Sequence, residues 1–118
     1  MIENIDVGID IVEINRFKKI NFKEKERFYK KIFTESEIKY CQKFKDDYRH
    51  FAGKFAVKEA VIKSINKKIN FLDIITSNQK KKPTVKILKK NYHIFRVSIS
   101  HEEKFAVAVV ISEKIDSK

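Results

Sequence analysis

The sequence predicts an α+β fold, and three observations carry that prediction. Residues 5–11, Ile-Asp-Val-Gly-Ile-Asp-Ile, alternate apolar and polar with the period of a strand. Residues 48–64 place Phe51, Ala52, Phe55, Ala56 and Ala60 at helical spacing. Residues 95–111 hold two alternating runs on either side of His101-Glu-Glu-Lys104, the pattern of a hairpin. The chain of 118 residues is short enough for one domain, 1–118. At that size burial is modest, and self-association would add stability.

The elements follow in order. In the first strand Ile5, Val7, Ile9 and Ile11 share one face, read as the core side, and Asp6, Gly8 and Asp10 share the other, with the strand ending near Asp10. The basic stretch from Glu13 to Phe33 reads as helical, anchored by Ile14, Phe17, Phe28 and Ile32. Thr34-Glu-Ser-Glu37 matches a capping box, with Thr34 as N-cap and Glu37 at the third position, and opens a helix through about Phe44 that buries Ile38 and Cys41. Asp46 or Asp47 caps the next helix, from about Tyr48 to Ser64. A short strand at 71–76, a polar turn at 77–83 holding the only proline, Pro83, and a strand at 84–90 come next. In the closing hairpin Phe105, Val107, Val109 and Ile111 alternate with Ala106, Ala108 and Val110, so both faces of the last strand are apolar. The alanines leave room for a close neighbour, such as another subunit.

Composition narrows the function classes. The net charge of +11 attracts acidic partners: nucleic acid, anionic membranes, acidic proteins or phosphorylated ligands. Part of it reflects a general lysine, asparagine and isoleucine bias. Cys41 is the only cysteine, so no internal disulfide forms and a reducing compartment is expected. The N-terminus carries acids and no basic leader, and no run of about 18 apolar residues occurs. These features together lead to the expectation of a cytoplasmic protein without a membrane partner. Gly8 and Gly53 are the only glycines, which excludes a glycine-rich phosphate loop and a dinucleotide fingerprint. His50 and His93 have no partner at metal-ligand spacing, which excludes a zinc site.

Glu59 is the anomaly, a carboxylate on the apolar stripe of the 48–64 helix. Such a group is costly unless compensated. A hard dication shared with Asp10 would compensate it, because magnesium takes one or two protein carboxylates and completes its shell with water and phosphate oxygens. An ion pair with Lys63, one turn on, is the simpler alternative. Lys54, Lys58 and Lys63 on the same helix could offset phosphate charge, although their spacing alone reads as a solvated lysine face. His101 stands at a strand end, where it can meet a phosphate or serve as an ordinary turn residue. Phe17, Phe22, Phe28 and Tyr29 look more like helix core than platforms for stacked bases.

Three segments together resemble one family. Val7-Gly-Ile-Asp-Ile-Val-Glu-Ile-Asn-Arg-Phe17 is similar to its N-terminal Gly-x-Asp motif, which closes on an arginine. Phe55-Ala-Val-Lys-Glu-Ala-Val-Ile-Lys63 resembles its Phe-Ala-x-Lys-Glu-Ala-x-x-Lys helix, and Val97-Ser-Ile-Ser-His101 its Ser-x-Ser-His strand. The family is holo-acyl-carrier-protein synthase, the small single-domain 4'-phosphopantetheinyl transferases, and the resemblance spans nearly the whole chain. It implies the 4'-phosphopantetheinyl transferase fold, helices packed on an antiparallel sheet, assembled as a homotrimer with active sites between subunits. It implies transfer of the 4'-phosphopantetheine arm of coenzyme A to a serine of apo acyl-carrier protein, a step that serves fatty acid biosynthesis and releases adenosine 3',5'-bisphosphate. Carried over by motif, Asp10 and Glu59 hold Mg2+ and Lys63 meets the diphosphate. His101 meets the nucleotide end, Lys54 and Pro83 belong to the coenzyme site, and Arg16 with the basic segment after it meets the carrier protein. The serine's proton would pass to Glu59 or to a water on the metal. The chain departs from the family at three places. Ser64-Ile-Asn-Lys-Lys-Ile69 replaces a Gly-Thr-Gly stretch, Lys54 replaces an arginine and so loses its bidentate fork, and Lys80-Lys-Lys-Pro83 lacks a glycine before the proline. The reading from a different class is a small basic nucleic-acid-binding module without catalysis.

Overall fold

Helix packing against a strand at a glycine sets the geometry of this chain. The computed structural model describes residues 3–89 and 93–115. Strand β1 (Ile5–Glu13) pairs antiparallel with β5 (Phe105–Lys114), whose other edge pairs antiparallel with β4 (His93–His101). The long helix α4 (Asp47–Ile65) lies across β1 and β5. It comes so close that a Cβ on Gly8 would stand 1.9 Å from the Ala60 carbonyl oxygen and 2.8 Å from the Ser64 amide nitrogen. Ala52, Ala56 and Ala60 on the helix, and Ala106 and Ala108 on β5, are fully buried along this seam.

The seam inverts the expected facing of β1. Ile5, Val7, Ile9 and Ile11, read as its core face, are 41–64% exposed. The buried positions are Gly8 and Val12, with Asp10 half-buried between them. Alternation defines two faces but not which one meets the helix, and only the face with glycine admits the close approach. The alanine face of β5 likewise meets α4 of its own chain and not a second subunit, whereas Phe105 and Ile111 are partly exposed beside β1, Ile111 opposite Val7.

Between β1 and α4 the chain forms α1 (Ile14–Lys19), α2 (Glu26–Lys30) and α3 (Glu35–Cys41). The basic stretch is thus two short helices, not one long one. Asn21 breaks it, accepting from the Glu24 amide at 3.0 Å and donating to the Glu24 side chain at 3.1 Å. Ile14, Phe17 and Ile32 are buried as expected; Phe28 is half-buried, and Tyr29 is the more deeply placed anchor. Its ring packs on Phe51 at 4.7 Å between centroids, and its hydroxyl donates to the Phe17 and Ile20 carbonyls. The capping box forms: Glu37 donates its amide to the Thr34 hydroxyl at 3.2 Å and accepts the Thr34 amide at 2.8 Å. Helix α3 ends at Cys41, short of Phe44. Asp46 occupies the N-cap of α4 without a side-chain bond to the helix amides; its carboxylate instead pairs with Arg49 at 3.5 Å and His50 at 3.8 Å.

After α4, Phe71–Asp73 forms a 3-10 turn, not the start of a strand. Strands β2 (Ile74–Gln79) and β3 (Lys82–Ile87) make a separate two-stranded hairpin. The strands therefore run further into the polar segment than expected, Pro83 pairs with Asn78 inside β3, and only Lys80 and Lys81 turn the chain. Lys90, assigned to the strand at 84–90, lies outside the described residues. Among the described residues no helix is long and apolar enough to cross a membrane.

Candidate active site

The Gly8 approach brings β1 and α4 together at the residues that stood out in the sequence. Asp10 lies on the same face of β1 as Gly8, two residues on, and Glu59 neighbours Ala60 on α4. Glu59 is half-buried. Burial raises its pKa above the ordinary carboxylate value, the nearby Asp10 charge raises it further, and Lys63 and Arg16 pull it back. Lys63 donates to the Asp10 carboxylate at 3.0 Å and to the Ile9 carbonyl at 3.1 Å. The ion pair of Lys63 thus goes across to β1 and not along the helix to Glu59. Arg16, exposed on α1, holds its guanidinium 5.3 Å from the Phe55 ring centroid. The result is two acids and two bases at one end of the seam, with the acids sharing an electrostatic conflict that the bases only partly relieve.

Lys54, Pro83 and His101 come together elsewhere, in a cleft that also has Tyr40, His50 and Gly53 on its walls. The hairpin β2-β3 brings Pro83 there from the far side. Lys54 and Glu59 are five residues apart on α4, roughly 140° around its axis, so one chain presents the acid pair and the cleft on different sides of the helix.

The lysines of α4 are not a solvated face. Only Lys63 is exposed. Lys54 is buried, donates to the Thr76 hydroxyl at 2.9 Å, and lies 4.7 Å from the Tyr40 ring centroid. Lys58 is fully buried and bonds the Ile32 carbonyl at 2.7 Å, the Glu37 carboxylate at 2.7 Å and the Phe71 carbonyl at 3.0 Å. The other Glu37 oxygen accepts from the Thr76 amide at 2.8 Å and hydroxyl at 2.7 Å. Burial pushes the pKa of both lysines down, and Glu37 works against that push. This network joins α3, α4 and β2 and supports the floor of the cleft. The sequence hid it, because the capping box already accounts for Glu37 and nothing in the spacing links it to Lys58.

At two of the departures from the family pattern the backbone takes the left-handed conformation that glycine adopts freely. Asn66, at φ 52° and ψ 44°, takes the left-handed position that ends α4 and returns its amide to Ile62. Lys80 and Lys81, at φ 49° and 66°, adopt the same region in the hairpin turn.

Comparison with known proteins agrees with this architecture. Residues 6–110 match the family described as the 4'-phosphopantetheinyl transferase superfamily. The holo-[acyl-carrier-protein] synthase of Thermodesulfovibrio yellowstonii is 46% identical over 108 residues, covering 89% of this chain and 95% of that protein. Its counterpart in Halothermothrix orenii is 42% identical over 120 residues, covering 92% of this chain and 96% of that protein. Among structures, the Bacillus anthracis holo-(acyl-carrier-protein) synthase in complex with CoA (3',5'-ADP) superposes with a TM-score of 0.80 at 35% identity, covering 92% of this chain and 96% of that one. The Helicobacter pylori enzyme in complex with coenzyme A gives 0.78 at 34% identity, covering 91% and 99%. The chain belongs to the 4'-phosphopantetheinyl transferase superfamily, and within it to the holo-acyl-carrier-protein synthase family.

Proposed function

We propose that this chain transfers the 4'-phosphopantetheine arm of coenzyme A to a serine of apo acyl-carrier protein. The observation that carries the reading is a half-buried Glu59 that feels the charge of Asp10, with Lys63 and Arg16 beside them, at the seam that Gly8 permits. The serine oxygen forms a bond to the phosphorus that bears the pantetheine arm. The bond from that phosphorus to the bridging oxygen breaks, and adenosine 3',5'-bisphosphate leaves with the electron pair. Negative charge grows on the diphosphate as this happens, so a cation fixed beside it lowers the barrier.

Asp10 and Glu59 fit Mg2+: they are hard oxygen donors, held together against their mutual repulsion, and two carboxylates suit this ion. The ion, when bound, offsets charge on the diphosphate. Lys63, exposed and already at the Asp10 carboxylate, meets the same phosphates. Glu59 also serves as the acceptor for the serine proton. Lys54, Pro83 and His101 hold the nucleotide end, His101 at the 3'-phosphate. Arg16 faces the acidic surface of the carrier protein.

The acid pair and the His101 cleft lie on different sides of α4, and the outer face of the sheet is an apolar row of Val7, Ile9, Ile11 and Ile111. Both facts support a homotrimer in which one active site draws the acids from one subunit and the cleft from the next. The setting is the cytoplasm. A nucleic-acid-binding role would use the positive charge but leave the adjacent acids without purpose.

Incubating the protein with apo acyl-carrier protein, coenzyme A and magnesium tests the activity. A carrier-protein mass increased by the phosphopantetheine arm is the expected outcome, lost when EDTA removes the metal. An unchanged mass with metal present overturns the reading.

A further inference from the structure

Gly53 lies in the interior of α4, where glycine is disfavoured relative to alanine. No described glycine has a positive φ, so backbone conformation gives position 53 no reason to be glycine. Space does. A Cβ at this position would stand 2.8 Å from His101 Nε2, 3.3 Å from its Cε1 and 3.6 Å from Ile99 Cγ2. A methyl group there must push the imidazole aside. On another side of the ring stands His50, 6.2 Å away between centroids, itself stacked on Phe44 at 3.7 Å and 17°. We propose that Gly53 is a positioning residue for His101: by lacking a side chain it seats the edge of the imidazole against α4, with the His50–Phe44 stack bounding the seat, and so fixes where the ring stands in the cleft beside Lys54 and Pro83.

This rests on the reading of His101 as a contact for the nucleotide end of coenzyme A. The charged and titratable groups around the ring are Arg49, Asp46 and His50, with Lys54 and Tyr40 across the same cleft. Burial and Arg49 hold the His101 pKa below its usual value, against a hydrogen bond to the Arg49 backbone and the Asp46 charge. Displacing the ring from α4 changes that balance.

The test is Gly53→Ala in the full chain. Proton NMR should show the His101 imidazole resonances and their titration displaced, with those of His93, at the far end of β4, unmoved. The KM for coenzyme A should rise about tenfold, the loss of one charge-assisted contact. The KM for coenzyme A lacking its 3'-phosphate should not change. His101 resonances identical to those of the parent protein overturn the proposal. If the ring moves and neither KM changes, the positioning stands and the assignment of His101 to the 3'-phosphate falls. A stability cycle covers a poorly folding variant. With the ring removed by His101→Ala, Gly53→Ala should stabilise the chain through helix propensity; with the ring present it should not. Equal effects in both backgrounds overturn the proposal.

Discussion

Glu59 and Asp10 repel each other across the β1–α4 seam, and that conflict separates a binding carboxylate from a structural one. Removing the charge from Glu59 relieves a strain, so Glu59→Gln should leave the urea midpoint unchanged or higher. The transfer rate should fall by roughly a hundredfold or more, in the range for lost transition-state electrostatics. Steady-state assay and urea titration of the same preparation check both arms. Cys41 gives a second residue-scale expectation. Burial pushes its thiol from 9.0 up to about 12, and the Tyr29 hydroxyl from 10.0 up to about 12. Between those values the unfolded chain has released protons that the folded chain still holds, so stability falls as pH rises. The denaturation midpoint should therefore drop progressively above pH 9, and Cys41→Ala should make the drop shallower. Glu59 stands out in the sequence because it is a polar exception on an apolar stripe, whereas Asp10 sits on the polar face of its strand and is singled out only by the Gly-x-Asp motif. Lys54 and Lys58 do not stand out, because their compensating partners, Thr76 and Glu37, lie 22 and 21 residues away.

At the scale of elements, Glu37 ties the start of α3 to α4 and β2 through fully hydrogen-bonded, buried charges. Breaking such a pair leaves one ion unpaired in the interior. Glu37→Ala should cost about 3–5 kcal/mol in urea unfolding, far beyond the loss of a helix cap alone. The hairpin β2-β3 carries a smaller, opposite effect. Lys81 occupies a left-handed conformation that glycine adopts freely, so Lys81→Gly should stabilise the chain by up to about 1 kcal/mol, read as a raised thermal midpoint. Element types were read well from periodicity: the N-terminal strand, the long helix and the closing hairpin all stand close to their expected places. The basic stretch reads as continuous in sequence because its helical spacing survives the Asn21 turn. The polar turn reads too wide in sequence because lysine and proline conceal the ends of two paired strands.

For the whole molecule, the apolar row Val7, Ile9, Ile11 and Ile111 is the largest departure from what the sequence led one to expect. Read as core, it is the outside of the sheet. A continuous exposed apolar face of this kind marks an association surface. In the proposed homotrimer, Ile9→Lys should lower the mass measured by light scattering to that of a monomer and abolish transfer, while the site residues remain intact. A monomer that keeps full activity would end the shared-site reading. Family-level fold and activity were within reach of three short motifs, but the facing of the first strand was not. That choice is made by a close contact between distant segments.

That contact has a consequence for how damage will look. Any side chain at position 8 acts as a wedge driven between strand and helix, and the wedge enters two residues from one acid and beside the other. A calorimeter would register a weakened fold and an enzymologist a dead catalyst, from one and the same lesion. Changes on the protein's exterior could restore neither, because the missing quantity is distance.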